Sequence, residues 1–324
     1  MPPPSRLISP GLPAVPADGP DINFTSPTIP AGYEDLRALV DLADTSELSS
    51  IRQTVLQILQ IVDDPLSSAD DLTNIISTDP PLSARLLRLA NSAHFGLSRR
   101  IGSIHDAVVC IGFDAVKEVA LTQKVCEIFA EDDEGFGYSR FALWQHSVAV
   151  ALCARELCRQ VGRGPRPETA YAAGLLHDIG ILVIDQFLQF DFLVILRDAS
   201  EENLDLKDVE EMVLGFSHAD VGQALTQTWK FPKEFSRAIG LHHAPSQAQE
   251  RDVALSTVLC LADLLVYKTQ TGFSDIRHRN PKLLAYCMRA LQLTEANLKP
   301  VVARLQEDLR RIRQLGWYRG QSPS

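Results

Sequence analysis

Five histidines and two aspartates in the second half of the chain are of the types that bind divalent metals: His146, His177-Asp178, His218, His242-His243 and Asp263. Imidazole nitrogens and carboxylate oxygens are the donors that Fe, Mn, Zn and related ions accept. These residues are too far apart in sequence to share one loop. They meet only if separate helices turn them toward one interior point, as di-metal helical bundles do. The adjacent His177-Asp178 pair suits such a point. Neighbouring side chains on a helix point about 100° apart, so the pair can address two ions with the carboxylate between them. The expectation is one or two divalent ions (Fe, Mn or Zn) held by this set.

Each residue also has an ordinary explanation. His146 lies in the apolar run Phe141-Ala142-Leu143-Trp144-Gln145-His146-Ser147-Val148, where a lone histidine serves as a hydrogen-bonded core residue. His177-Asp178 follows Ala172-Ala173-Gly174-Leu175-Leu176. Charge in such a packed segment costs several kcal/mol, about 3–5, unless it is paired or ligated, and a structural His-Asp hydrogen bond would answer that. His218, just after Ser217, fits a first helical turn. His242-His243 fits a helix C-terminus, where a cationic imidazole suits the dipole. Asp263 interrupts an apolar run from Val258 to Leu265 and needs a partner. Taken together, the order H…HD…H…HH…D, one element per successive helix, favours a shared site.

The elements that must position them read as helices throughout. Leu48, Ile51, Val55, Ile58, Leu59 and Val62 recur at three- and four-residue spacing, a one-sided apolar stripe that Asp63-Asp64-Pro65 ends. Ser68 has cap chemistry for a short helix through Ile76, and Asp79 caps another opened by Pro80-Pro81 and closed by Gly96. Ser103 begins a helix that Gly112 ends, and 113–129 follows. Further helices are expected at about 139–160, 168–176, 178–196, 206–214, 218–229, 232–242, 252–267, 281–292 and 295–315. Ile181-Leu182-Val183-Ile184 is the one short apolar stretch with strand character, and its flanks read as helix. The fold class is all-α. In the last helix Val301, Val302, Leu305, Leu309, Ile312 and Leu315 form an apolar stripe that either docks on the domain or makes a dimer contact.

Composition narrows the function classes. Hydrophobic residues at 45% are enough for a real core. The net charge of -10, with no basic run longer than Arg310-Arg311-Ile312-Arg313, argues against a nucleic-acid partner and against an anionic lipid surface. None of the six cysteines forms a C-x-x-C pair, which fits free thiols in a reducing compartment. No apolar run approaches the ~20 residues of a membrane span, and no apolar segment follows the Met1-Pro2-Pro3-Pro4 start, so a cytoplasmic location is expected. Residues 1–32 hold nine of the 19 prolines and read as a disordered tail. The remaining boundaries are an N-terminal helical part at 33–137, a metal-bearing helical part at 138–270 and C-terminal helices at 271–324.

The stretch Gly174-Leu175-Leu176-His177-Asp178-Ile179-Gly180, with His146 upstream and Asp263 downstream, resembles the H…HD…D frame of the HD superfamily. Two further stretches resemble its HDOD branch. One is Asp79-Pro80-Pro81-Leu82-Ser83-Ala84-Arg85-Leu86-Leu87-Arg88-Leu89-Ala90-Asn91-Ser92, followed by Ile104 to Gly112. The other runs from His218-Ala219-Asp220-Val221-Gly222 through Trp229 and Pro232 to His242-His243-Ala244-Pro245. The resemblance covers roughly 45–265. It implies an HD-type helical bundle with an N-terminal helical subdomain, acting as an output or adaptor module for signalling proteins in bacteria.

Related HD-GYP domains hydrolyse cyclic di-GMP at a two- or three-metal centre, and the chain departs from them in three places. Ile181 stands where those enzymes carry a lysine able to balance phosphate charge. Ala244-Pro245-Ser246-Gln247 stands in place of the GYP loop, and Ala142 in place of an acidic residue one turn before the first histidine. The resulting expectation is a non-catalytic signalling module with an HD-like metal site. The alternative is a metal-dependent phosphohydrolase acting on a nucleotide or cyclic dinucleotide. A third reading is a nucleotide sensor, with Arg85 and Arg88 as anion contacts, against which stands ordinary surface charge.

Overall fold

A computed structural model describes residues 36–63, 67–91, 100–129, 138–162, 164–249, 253–275 and 280–314. The proline-rich tail, Gly96, the loop at 131–135 and Leu315 lie outside the described residues. The described residues belong to one compact unit. They form sixteen α-helices and three short 3-10 turns, with no β-strand among them.

The first part is made of α1 (Leu36–Thr45), α2 (Arg52–Asp63), α3 (Ala69–Ser77), α4 (Pro80–Ala90), α5 (Ile104–Ile111) and α6 (Phe113–Cys126). Local chemistry sets several of their starts. Ser68 and Asp71 exchange hydrogen bonds in a capping box at α3. Asp79 accepts from the Leu82 N–H at α4, with Pro80 and Pro81 in the tolerated first positions. Ser103 accepts from Asp106 N–H at α5. The expected stripe of α2 is buried at Val55, Ile58 and Leu59.

The second part contains α7 (Arg140–Val161), α8 (Pro167–Leu176), α9 (Ile179–Phe187), α10 (Gln189–Glu201), α11 (Leu206–Leu214), α12 (His218–Thr228), α13 (Lys233–Gly240), α14 (Val253–Tyr267), α15 (Pro281–Ala290) and α16 (Glu295–Gln314). The central helix is α7, which packs against α8, α14 and α16. Helices α9 and α13 pack on α12, α13 packs on α14, and α1 lies across α9 and α12. Helix α6 packs on α8, joining the first part to the second.

One expected helix, 178–196, is instead two. The chain turns by 119° between the apolar segment 167–187 and α10. Leu188 sits at the corner with φ -125° and ψ 40°, closes α9 through its N–H to the Ile184 carbonyl and opens α10 by accepting from Phe192 N–H. Leu188 is buried, so packing decides this corner where no Gly or Pro announces it. Ile181–Ile184 lies inside α9 and is fully buried, so its apolar run reflects burial on all sides and not a strand. No single helix among the described residues is long and apolar enough to cross a membrane.

The stripe of α16 docks on α7: Val301, Leu305, Leu309 and Ile312 are buried, while Arg310 and Arg313 face outward. A buried ion group fastens this contact. Arg155 on α7 donates to Asp308 of α16 at 2.6 Å and to Glu118 of α6, and its guanidinium lies 5.9 Å from the Tyr171 ring centroid. Four of the six cysteines are buried free thiols, and Cys110 is exposed.

Candidate metal centre

All seven residues expected to hold metal converge. His146 comes from the middle of α7, His177 and Asp178 from the corner between α8 and α9, His218 from the first position of α12, His242 and His243 from the turn after α13, and Asp263 from α14. His146 Nε2 lies 3.2 Å from Asp263 Oδ1 and 3.6 Å from Asp178 Oδ2. His177 Nε2 lies 3.0 Å from the same Oδ2. The other oxygen, Asp178 Oδ1, faces His242 Nε2 at 3.5 Å and His218 Nε2 at 3.6 Å. Asp178 therefore stands between two groups of imidazoles with one carboxylate oxygen turned to each.

Two acids that sequence reasoning did not single out complete the cluster. Asp275 Oδ2 lies 3.0 Å from His243 Nε2 and 3.5 Å from His218 Nε2. Glu210, on α11 and fully buried, accepts from His218 Nδ1 at 2.6 Å and from its backbone N–H at 2.7 Å. Glu210 sits in an ordinary amphipathic helix, and Asp275 follows a short non-helical segment.

Hydrogen bonding fixes how the rings point. His177 Nδ1 bonds the Gly174 carbonyl at 2.8 Å, His242 Nδ1 bonds the Ile239 carbonyl at 2.5 Å, and His218 Nδ1 bonds Glu210. Each such bond places an N–H on Nδ1 and turns Nε2 inward, the atom that binds in metal-ligating histidines. His218 Nε2 and His243 Nε2 approach to 2.9 Å, two ring nitrogens directed at one point.

Burial makes the cluster demanding. His177 has its pKa pushed up to about 9, because the neighbouring Asp178 and Asp263 charges outweigh the opposing effect of burial. His218 rises to about 10 for the same reason, against burial, with Glu210 dominant among its acids. Burial and the neighbouring His243 charge instead push His242 down to about 4. Asp178 is held well below the usual carboxylate range: burial opposes this, and the surrounding imidazoles overcome it.

The residues fit a divalent metal. His146 Nε2, Asp263 Oδ1 and Asp275 Oδ1 are buried with no hydrogen-bond partner. Such orphaned groups cost about 1–3 kcal/mol each unless something satisfies them, and a cation does. His146, His177 and Asp263 present ligand atoms within 4.8 Å of one another, as do His218, His242, His243 and Asp275.

Arg85 and Arg88 are placed elsewhere. Helix α4 packs on α3, α5 and α6. Arg85 is half-buried within electrostatic reach of Asp79, and Arg88 is exposed. Ile181 is fully buried in the core, so the position of the related enzymes' lysine carries no charge here.

An all-helical bundle that turns an H…HD…H…HH…D series onto one buried point is an HD-type protein. More narrowly, the chain belongs to the HDOD domain family, whose profile matches residues 48–245. It is 24% identical over 220 residues to an uncharacterised protein of Treponema pallidum, covering 68% of this chain and 42% of that relative's length. Among solved structures it resembles an HDOD domain protein of unknown function from Geobacter sulfurreducens (27% identity, TM-score 0.72, 87% of this chain and 97% of that one). It also resembles a Shewanella amazonensis protein provisionally named a phosphohydrolase (26%, TM-score 0.63, 87% and 96%). A Marinobacter aquaeolei protein provisionally named for signal transduction shares the fold (22%, TM-score 0.70, 89% and 67%).

Proposed function

We propose that this chain is a bacterial signalling module whose HD-type centre holds two divalent ions as a structural core and turns over no substrate. The observation that carries this reading is closure. His146, His177, Asp178, His218, His242, Asp263 and Asp275 are each 2% exposed or less. The His243 side chain, at 15%, is the one ligand that reaches further out. A catalytic centre keeps an open coordination position and a path for substrate, whereas a structural one is closed. The buried apolar Ile181 is in keeping with a site that handles no phosphate. Nitrogen and oxygen donors suit Fe, Mn or Zn. The partners would be other signalling proteins, and the compartment the cytoplasm.

The test uses the full chain loaded with metal. The expected result is a marked fall in unfolding temperature on chelation, because ligand binding to the native state alone stabilises it by mass action. The same preparation is expected to leave cyclic di-GMP and guanosine nucleotides intact. Multiple turnovers of any of them would overturn the non-catalytic reading.

A second reading is a metal-dependent phosphohydrolase acting on a nucleotide or cyclic dinucleotide. It is supported by the two ligand groups sharing Asp178 and by the provisional name of the Shewanella relative. Divalent ions held by these residues would polarise phosphoryl oxygens and lower the pKa of water. A third reading is a nucleotide sensor that turns nothing over, with Arg85 and Arg88 of α4 as its anion contacts away from the metal centre, and calorimetry with cyclic di-GMP on wild type and Arg85→Ala tests it.

A further inference from the structure

We propose that Asp275 is an internal plug: its carboxylate takes the position on the two-ion centre where an oxygen of phosphate or solvent would otherwise bind. This rests on the metal centre proposed above and gives it a reason for its closure.

Three observations carry the inference. The first is reach. Asp275 belongs to the group His218, His242 and His243 and also lies within 4.8 Å of ligand atoms of His146 and Asp178, so its carboxylate is near both halves of the centre. Its Oδ1 is buried with no hydrogen-bond partner.

The second is how the residue is carried. The other ligands come from helices or helix ends, whereas Asp275 lies in a non-helical strap, residues 271–275 among those described, laid over α7. The strap is fastened at three places. Phe273 N–H donates to the Ala142 carbonyl at 2.9 Å, one turn before His146. The Phe273 ring meets Tyr138 edge-on at 5.1 Å. The Asp275 carbonyl accepts from Leu206 N–H at 2.8 Å. Gly272 permits the close approach: its φ is +75°, and a Cβ there would lie 2.3 Å from the Ala142 carbonyl oxygen and 2.5 Å from His146 N.

The third is charge. Asp178, Asp263, Asp275 and Glu210 together carry four negative charges, which two divalent ions neutralise with all imidazoles uncharged. Withdrawing Asp275 leaves one net positive charge in a buried site, and that attracts an anion. The plug therefore suppresses both the vacant position and the charge that would bring phosphate to it.

The experiment reconstitutes the full chain with cobalt(II) and follows its visible spectrum during titration with inorganic phosphate. Wild type is expected to bind two cobalt ions and to show no response to phosphate. Asp275→Ala is expected to keep both ions and to gain a phosphate-dependent spectral change, with phosphate affinity raised about tenfold or more. Asp275→Asn, which preserves side-chain volume, is expected to change in the same direction. Equal phosphate responses in wild type and variants would overturn the plug. Loss of one cobalt in both variants would overturn it too, by making Asp275 an obligatory ligand. A wild-type chain that binds no cobalt would sink the metal centre itself, which separates the two failures.

Discussion

A Cβ on Gly180 would lie 1.9 Å from the carbonyl oxygen of His218, so the start of α9 rests directly on the backbone of α12. That contact sets the separation between Asp178 and His218, which face each other across the centre at 3.6 Å. Gly180→Ala is expected to push the two helices apart. Overpacking of this kind costs about 1–3 kcal/mol, and metal affinity should fall with it. Chemical denaturation with and without metal reads both effects. Gly102→Ala, where nothing lies within 4 Å of the added Cβ, is the control and should change neither.

Glu210 holds the tautomer of His218 through a 2.6 Å bond to Nδ1. Glu210→Gln is expected to weaken metal binding by about 10–100-fold, the usual cost of removing a carboxylate behind a ligating histidine. Competition with a metallochromic chelator measures it. An unchanged affinity would mean that His218 is oriented by packing alone.

Asp79 gives a pH prediction away from the metal centre. Its carboxylate caps α4 and accepts from Lys124 of α6 at 2.8 Å. Burial works against its charge, but the bonds from Lys124 and the Leu82 N–H win and hold its pKa below the usual carboxylate value. A depressed folded pKa adds stability above the unfolded value, near pH 4, which is lost as pH falls through the folded one. Asp79→Asn should therefore flatten the acid limb of the stability curve. Equilibrium unfolding at a series of pH values below neutrality checks the slope.

Arg155 joins α6, α7 and α16 through Glu118 and Asp308. Arg155→Met leaves Glu118 without its ion-pair partner and Asp308 with only the longer 3.3 Å contact to Arg304, at a cost of about 3 kcal/mol. The expected consequence is release of α16, visible as early cleavage near 295–314 in limited proteolysis. The triple change with Glu118→Gln and Asp308→Asn should recover most of the loss, because it removes the charges left stranded.

The sequence alone determined the helical class and several helix starts, for reasons that are local, and it singled out seven residues that the fold brings together. Caps such as Ser68, Asp79 and Ser103 act within three residues, and the α2 stripe repeats with the helical period. The seven clustered residues were legible partly because a polar side chain in an apolar run, as at His146 or Asp263, needs an explanation that the run itself does not supply, and partly because their order resembles the HD frame. Tertiary structure decided what local chemistry leaves open. The corner at Leu188 exists because both helices it joins are packed, with no breaker to mark it. Docking of α16 over dimerisation was decided by Arg155, which lies 153 residues from Asp308. Glu210 and Asp275 entered the centre because α11 and the strap after α14 are folded against it, and a carboxylate in an ordinary helix or loop acquires such a role only from what is brought opposite it.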